Sequence, residues 1–248
     1  MSPQELKEYL DFKVQQYNTT TFIESDPIQL PHQFSKKEDI EIVAFLVAMI
    51  AWGKRAMIIK NGERLIDIME HEPYQFVQQY SPRSLPSFVH RTFNTVDLDF
   101  FFRSLQKIYS NEGLEAAFAA NNEEYGVKGR IINFRNTFLL TEHEKRSEKH
   151  ISNPSKNSAA KRLNMFLRWM VRIDNCGVDF GIWKSISPSE LYIPLDVHTA
   201  NTSRELGLLT RKQNDWKALE EIMHALRSLD PEDPSKYDFA LFGIGAFE

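Results

Sequence analysis

Apolar residues recur at helical spacing along almost the whole chain, and few stretches alternate long enough to make strands. The pattern predicts a first helix over residues 3–17, with Leu6, Leu10, Phe12 and Val14 inward. A loop holding Pro27 and Pro31 follows, over 19–33. Ser35, three residues before Glu38, reads as a capping box opening a helix that runs to about Trp52. Further helices are expected near 55–70, 73–80, 97–109 with Asp97 as cap, 113–120 and 125–141. The stretch Ser81-Pro82-Arg83-Ser84-Leu85-Pro86 is a breaker, and the polar residues 142–156 form a connector. Helices over 157–173, 197–207 (closed by Gly207) and from Asp215 to Leu229 come next, with an irregular stretch over 174–195. Asp233-Pro234 opens the last helix as a cap followed by proline at the first helical position. This is an all-α pattern with strand content near zero. It has no internal repeat and no linker, so we expect one compact helical unit over 1–248, or two intimate halves around a cleft.

Composition narrows the class. Hydrophobic residues are 42% and charged residues 26%, as in ordinary globular proteins. Cys176 is the only cysteine, which rules out an internal disulfide and suggests a reducing compartment. The opening Met1-Ser2-Pro3-Gln4-Glu5 lacks a secretion pattern, and the longest apolar run, Ile42 to Trp52, is 11 residues and too short for a bilayer. A cytoplasmic protein with no membrane partner is the expectation. Net charge is −4, but the segment from Lys128 to Arg172 carries eleven lysines and arginines against three glutamates, a local +8. Such a segment on an acidic body suits a phosphate-bearing partner; it also suits helices with solvated cations.

Two positions combine geometry with chemistry. Lys161, Asn164, Arg168 and Arg172 share one face of their helix, opposite Ala159, Leu163, Phe166 and Met170. A lysine in the first turn lies near the positive end of the helix dipole, and Arg162 and Arg168 add to the field. That environment favours a neutral, nucleophilic amine. A lysine on a solvated polar stripe is the plainer reading. In Tyr192-Ile193-Pro194-Leu195-Asp196-Val197-His198, an apolar entry, a proline and an aspartate precede a helix, so Asp196 is a good N-cap. Its second oxygen stays free to face a cleft. His198 is better suited to a hydrogen bond or to packing than to a metal.

The stretches Ser158 to Arg172, Ile193 to His198 and Tyr237-Asp238-Phe239-Ala240-Leu241-Phe242-Gly243-Ile244-Gly245 resemble a bacterial family within the helix-hairpin-helix DNA glycosylase superfamily. Ala51-Trp52-Gly53 extends the resemblance over most of the chain. The archaeal 8-oxoguanine DNA glycosylases are nearest in character. In bifunctional members a lysine on one helix and an aspartate at the start of the next supply the chemistry. By resemblance Lys161 is then the nucleophile and Asp196 its carboxylate. The sequence departs from that pattern in two places. Asn157-Ser158-Ala159-Ala160 lacks the glycines of a Gly-x-Gly-x-Lys hairpin, and Lys161 and Asp196 stand 35 residues apart. An atypical helix-hairpin-helix element is therefore implied. One cysteine cannot hold the four-cysteine iron–sulfur cluster of the endonuclease III branch, so no cofactor and no metal is expected.

The resemblance implies a DNA glycosylase with AP lyase activity acting on damaged duplex, with oxidised purine as the suggested substrate class. Trp52 and Phe247 are candidates to line a pocket for the extruded base, with Phe247 placed beyond a Gly243/Gly245 turn. His198 is a further candidate to contact substrate. Arg162, Arg168 and Arg172 are the candidate DNA contacts, and no obligate protein partner is evident. Two readings compete: a nucleic-acid-binding protein that keeps the fold without catalysis, and an adaptor that binds protein through its acidic remainder.

Overall fold

The computed structural model describes residues 1–82, 85–119 and 126–248, and these are mainly helical. They divide into two compact units. The first comprises Met1–Glu24 and Asn153–Glu248, and the second Ser25–Ser152.

The first unit is built on α1 (Pro3–Tyr17), α9 (Lys161–Val171), α10 (Val197–Glu205), α11 (Trp216–Leu229) and α12 (Tyr237–Phe247). Ser2 and Glu5 close a reciprocal capping box at the start of α1. Asp196 and Asp215 cap α10 and α11 by accepting from the backbone N–H of Thr199 and Ala218. The last helix is apolar nearly all round, as a helix packed on several sides must be. Its two glycines make that packing possible. A Cβ on Gly243 would sit 2.2 Å from the Tyr17 ring of α1. A Cβ on Gly245 would sit 2.6 Å from Thr202 Oγ1 of α10. Residues two apart point to opposite sides of a helix, so each glycine admits a different neighbour. Both lie inside α12, so the Gly243/Gly245 turn expected from the sequence is a pair of packing positions.

The second unit holds α3 (Lys37–Ile50), α4 (Arg55–Ile68), α5 (Pro73–Gln78), α6 (Thr95–Tyr109), α7 (Gly113–Ala119) and α8 (Gly126–Phe138). Helix α2 (Thr20–Ser25) follows α1. Every residue of α3 from Ile40 to Ile50 is buried, in keeping with the apolar run that begins at Ile42; Glu41 is buried with them and accepts from the Tyr109 hydroxyl at 2.7 Å. Phe45 of α3 meets Phe101, Phe134 and Phe138 at centroid distances of 5.5–6.0 Å. Fully burying each such ring stabilises by about 1.5–3 kcal/mol before conformational entropy is counted. A single hairpin, β1 (Val89–His90) with β2 (Phe93–Asn94), is the strand content of the described residues. No helix among the described residues is long and apolar enough to cross a membrane.

Several helix ends differ from the sequence reading. Ser35 is not a cap: α3 begins after Lys36, which makes no side-chain cap hydrogen bond. Asn94, not Asp97, caps α6, and Asp97 closes the capping box from the third helical position. The segment over 157–173 becomes helical only at Lys161, because Pro154–Lys156 forms a 3-10 turn and Asn157 and Ala160 take left-handed backbone. The expected loop over 19–33 contains α2 and two 3-10 turns. Arg83 and Ser84 of the expected breaker lie outside the described residues. So do positions 120 and 125, where helix ends were expected.

Candidate active site

Lys161 is the first residue of α9, and its position is set by the segment before it. Asn157 has φ 64° and Ala160 φ 46°. Asparagine tolerates the left-handed region, whereas for alanine the crowding of Cβ costs about 1 kcal/mol. The strained turn is fastened to the start of α11: the Asn157 carbonyl accepts from Trp216 N–H at 3.0 Å, and its side-chain amide donates to Asp215 at 2.7 Å. Asn164, one turn into α9, is buried and donates back to the Ala159 carbonyl at 2.9 Å. The turn thus obtains from side-chain ties the backbone shape that glycines would allow freely.

Asp196 is delivered by a different device. Ile193, Pro194 and Leu195 are buried and anchor the entry to α10. Asp196 Oδ1 accepts from Thr199 N–H at 2.9 Å, which is the capping bond. The remaining oxygen, Oδ2, accepts from Lys161 Nζ at 3.2 Å. One carboxylate therefore caps a helix and meets the lysine at once. The lysine side chain keeps 39% of its exposure and the aspartate 15%, so the amine remains reachable from solvent.

The same face of α9 turns inward beyond its first turn. Arg168 and Arg172 are 4% and 5% exposed, and both are committed to buried carboxylates. Arg168 donates to Asp179 at 3.3 Å and to Asp238. Arg172 donates to Asp179 at 3.0 Å and to Asp233 at 2.9 Å. The sequence expectation was that these two arginines face outward as DNA contacts; here they are buried in ion pairs. The shared face is real, but it points into the first unit, where four acids (Asp174, Asp179, Asp233, Asp238) require cations. Arg162 is half-buried; desolvation pushes its pKa down to about 10, so it is still charged at neutral pH. The local +8 is also divided: Arg135 and Arg146 lie in the second unit and are paired with Glu148 and Asp97.

Asp238, the second residue of α12, is the site residue the sequence reading passed over. Burial raises its pKa to about 7, against the pull of Arg168 and with help from the charges of Asp196 and Asp179. The charges of Asp196 and Lys161 both act on it, so it belongs to the electrostatic surroundings of that pair. The signal was present: an acid stands inside the apolar run from Tyr237 to Phe242, and a lone arginine stands inside Phe166 to Val171. Each implies a buried partner.

The other candidates are placed as follows. His198 Nδ1–H donates to the Gly245 carbonyl at 2.8 Å, tying α10 to α12, and its ring lies 6.2 Å from Phe242. Phe247 is 57% exposed, against Tyr17 and Phe242. Trp52 belongs to the second unit, half-buried, with its ring against His90 and stacked on His150. Among the described residues no group of three or more His, Cys, Asp or Glu is arranged to hold a metal ion.

A helical fold that sets an accessible lysine against a helix-capping aspartate defines a protein with a two-residue polar centre in its first unit. The family model described as protein of unknown function (DUF2400) matches residues 26–247, and the chain belongs to that family. No curated protein and no solved structure matches it.

Proposed function

We propose that the protein is a DNA glycosylase with AP lyase activity, with Lys161 as nucleophile and Asp196 as its electrostatic partner. The observation that carries the reading is the 3.2 Å approach of Lys161 Nζ to Asp196 Oδ2, across 35 residues of sequence. The lysine begins one helix and the aspartate caps the next, as the resemblance to helix-hairpin-helix glycosylases requires. Breaking an N-glycosidic bond develops positive charge on the sugar, and a carboxylate at that place stabilises it. With a proton given up to solvent, the Lys161 amine forms a bond through its lone pair to the anomeric carbon. The glycosidic electron pair leaves with the base, which takes up a proton. Opening of the sugar ring gives a Schiff base. Loss of a proton from the adjacent carbon then expels the 3′ phosphate and nicks the strand.

Asp238 has a place in this scheme. Its proton, held to near neutral pH, prevents a second full negative charge from building behind Asp196. His198 and Phe247, at the α10–α12 contact, are proposed to face the extruded base. The test is release of base and nicking of duplexes carrying 8-oxoguanine or an abasic site. Wild-type protein should cleave, Lys161→Gln should lose cleavage while retaining DNA affinity, and Asp196→Asn should slow base release about 100-fold or more. DNA binding with no cleavage on any lesion would leave a nucleic-acid-binding protein in which the Lys161–Asp196 pair is a tie between helices.

A further inference from the structure

With Arg168 and Arg172 buried, a nucleic-acid partner needs other cations, and the second unit presents a group of them. Residues 52–62 and 85–96 contain no acid among their described positions, but include Lys54, Arg55, Lys60 and Arg91. Lys54, Lys60 and Arg91 are exposed. The hairpin brings Arg91 to the turn after α3: a Cβ on Gly53 would lie 3.1 Å from Arg91 Nη1 and 3.3 Å from its Cδ. Gly53 itself has φ 105°, so both its backbone and its missing side chain are needed there. Arg91 has φ 57°, a conformation that glycine or asparagine adopts at less cost. Two special backbone positions thus meet to lay one guanidinium along this turn, and no hydrogen bond or ion pair engages Arg91 among the described residues.

The aromatic part of the surface is held firmly. Trp52 stacks on His150 with ring planes 26° apart, and His90 meets its edge at 5.1 Å. The Trp52 carbonyl accepts from His90 Nε2–H at 3.1 Å, while His90 Nδ1 accepts from the Asn61 amide at 2.9 Å. The acid nearest Arg91 in sequence, Asp97, is buried and occupied by Arg146, Ser147 and His150, while Glu63, the acid that follows the 52–62 segment, is exposed on α4.

We infer that the Trp52–Gly53–Lys54 turn with Arg91 is a nucleic-acid contact surface, taking phosphates on Lys54 and Arg91 and an unstacked base beside the indole. The chemistry is that of a single-strand or distorted-duplex platform, where cations follow the backbone and an aromatic ring takes a base face. The inference rests on the proposal that DNA is the partner, and adds which face of the second unit meets it.

The test is equilibrium binding of an undamaged labelled oligonucleotide, single-stranded and duplex, over a potassium chloride series, with circular dichroism as the check on folding. Heparin serves as a polyanion without bases. Lys54→Ala/Arg91→Ala should weaken oligonucleotide binding by about tenfold or more at low salt and lower the log–log salt slope by about two. Trp52→Leu should weaken the single strand more than it weakens heparin. Wild-type affinity and slope in the double cation variant would overturn the assignment. Equal losses for heparin and oligonucleotide, with no selective effect of Trp52→Leu, would overturn it as a nucleic-acid surface. The assay involves no cleavage, so a protein without lyase activity still decides it. Conversely, a variant that binds weakly yet cleaves at saturating DNA separates this surface from the Lys161 chemistry.

Discussion

Two buried aspartates, one in each unit, are treated oppositely by their surroundings. Asp97 is fully buried, yet Arg146 donates to both its oxygens at 2.8 and 3.0 Å, Ser147 at 2.5 Å and the Asn94 N–H at 2.9 Å, with His150 at 3.3 Å. Burial alone would raise its pKa, but the hydrogen bonds from His150, Ser147 and Asn94 hold it well below the usual carboxylate range. Asp238 is buried nearly as deeply, with Arg168 as its ion-pair partner and two acids close by, and burial carries it up to about 7. Donors, not depth, decide which form of a buried acid survives. The fully supplied carboxylate holds a structure together. The under-supplied one is pushed toward its neutral form by burial, within the electrostatic reach of Asp196 and Lys161.

The largest expected effect is on the supplied acid. Asp97→Ala leaves Arg146 and His150 facing an empty position, and should cost about 3–5 kcal/mol in urea unfolding. Asp238→Asn keeps its shape and removes a charge that burial disfavours, so it should cost nothing at pH 7 and leave the chain more stable than wild type there. Equal losses for Asp97→Ala and Asp238→Asn would break the contrast. Arg168→Ala strips the cation from both Asp179 and Asp238 and should cost roughly 3 kcal/mol. Arg168→Met should leave the salt slope of DNA binding unchanged, because a buried arginine releases no counterions.

The two acids also set opposite pH trends. The folded value of Asp238, about 7, lies above its ordinary 3.8. Between those values the folded chain keeps a proton that the unfolded chain has shed, so this group makes stability fall as pH rises through that window. Asp97 is shifted the other way: its contribution is present above the unfolded value and is lost as pH falls below it. Unfolding free energies of Asp238→Asn and wild type across pH 4–8 should therefore converge at the acid end. Parallel curves would show that Asp238 is ionised throughout. The smallest effect belongs to the turn before Lys161. Ala160→Gly relieves a left-handed alanine and should stabilise by about 1 kcal/mol or less, once the added freedom of the unfolded chain is counted.

Much of the helical order is legible in the residues. α1 and α4 follow from apolar spacing, α11 from spacing and its Asp215 cap, and the buried run of α3 announces itself. The Lys161–Asp196 pair is reached through the resemblance; the local setting alone gives Asp196 as a helix cap and reads Lys161 more plainly as part of a solvated stripe. The direction of the α9 face is not legible in the sequence. Spacing shows that Lys161, Arg168 and Arg172 share a side, but says nothing of what that side meets. Only the chain's return through Asp174 and Asp179, and the docking of α12 with Asp238, make it an interior. Asn157 and Ala160 conceal the turn for a related reason. Asparagine permits left-handed backbone without requiring it and alanine gives no sign of it; at Asn157 the shape is fixed by the ties to α11.

The central claim is that Lys161 attacks a sugar carbon under the influence of Asp196, and covalent trapping addresses it most directly. Wild-type protein is incubated with an abasic-site duplex in the presence of borohydride, and the adduct is mapped by peptide mass spectrometry. One DNA–protein adduct is expected, carried on Lys161, absent in Lys161→Gln and reduced in Asp196→Asn. An adduct mapped to another lysine, or trapping undiminished in Lys161→Gln, would contradict it.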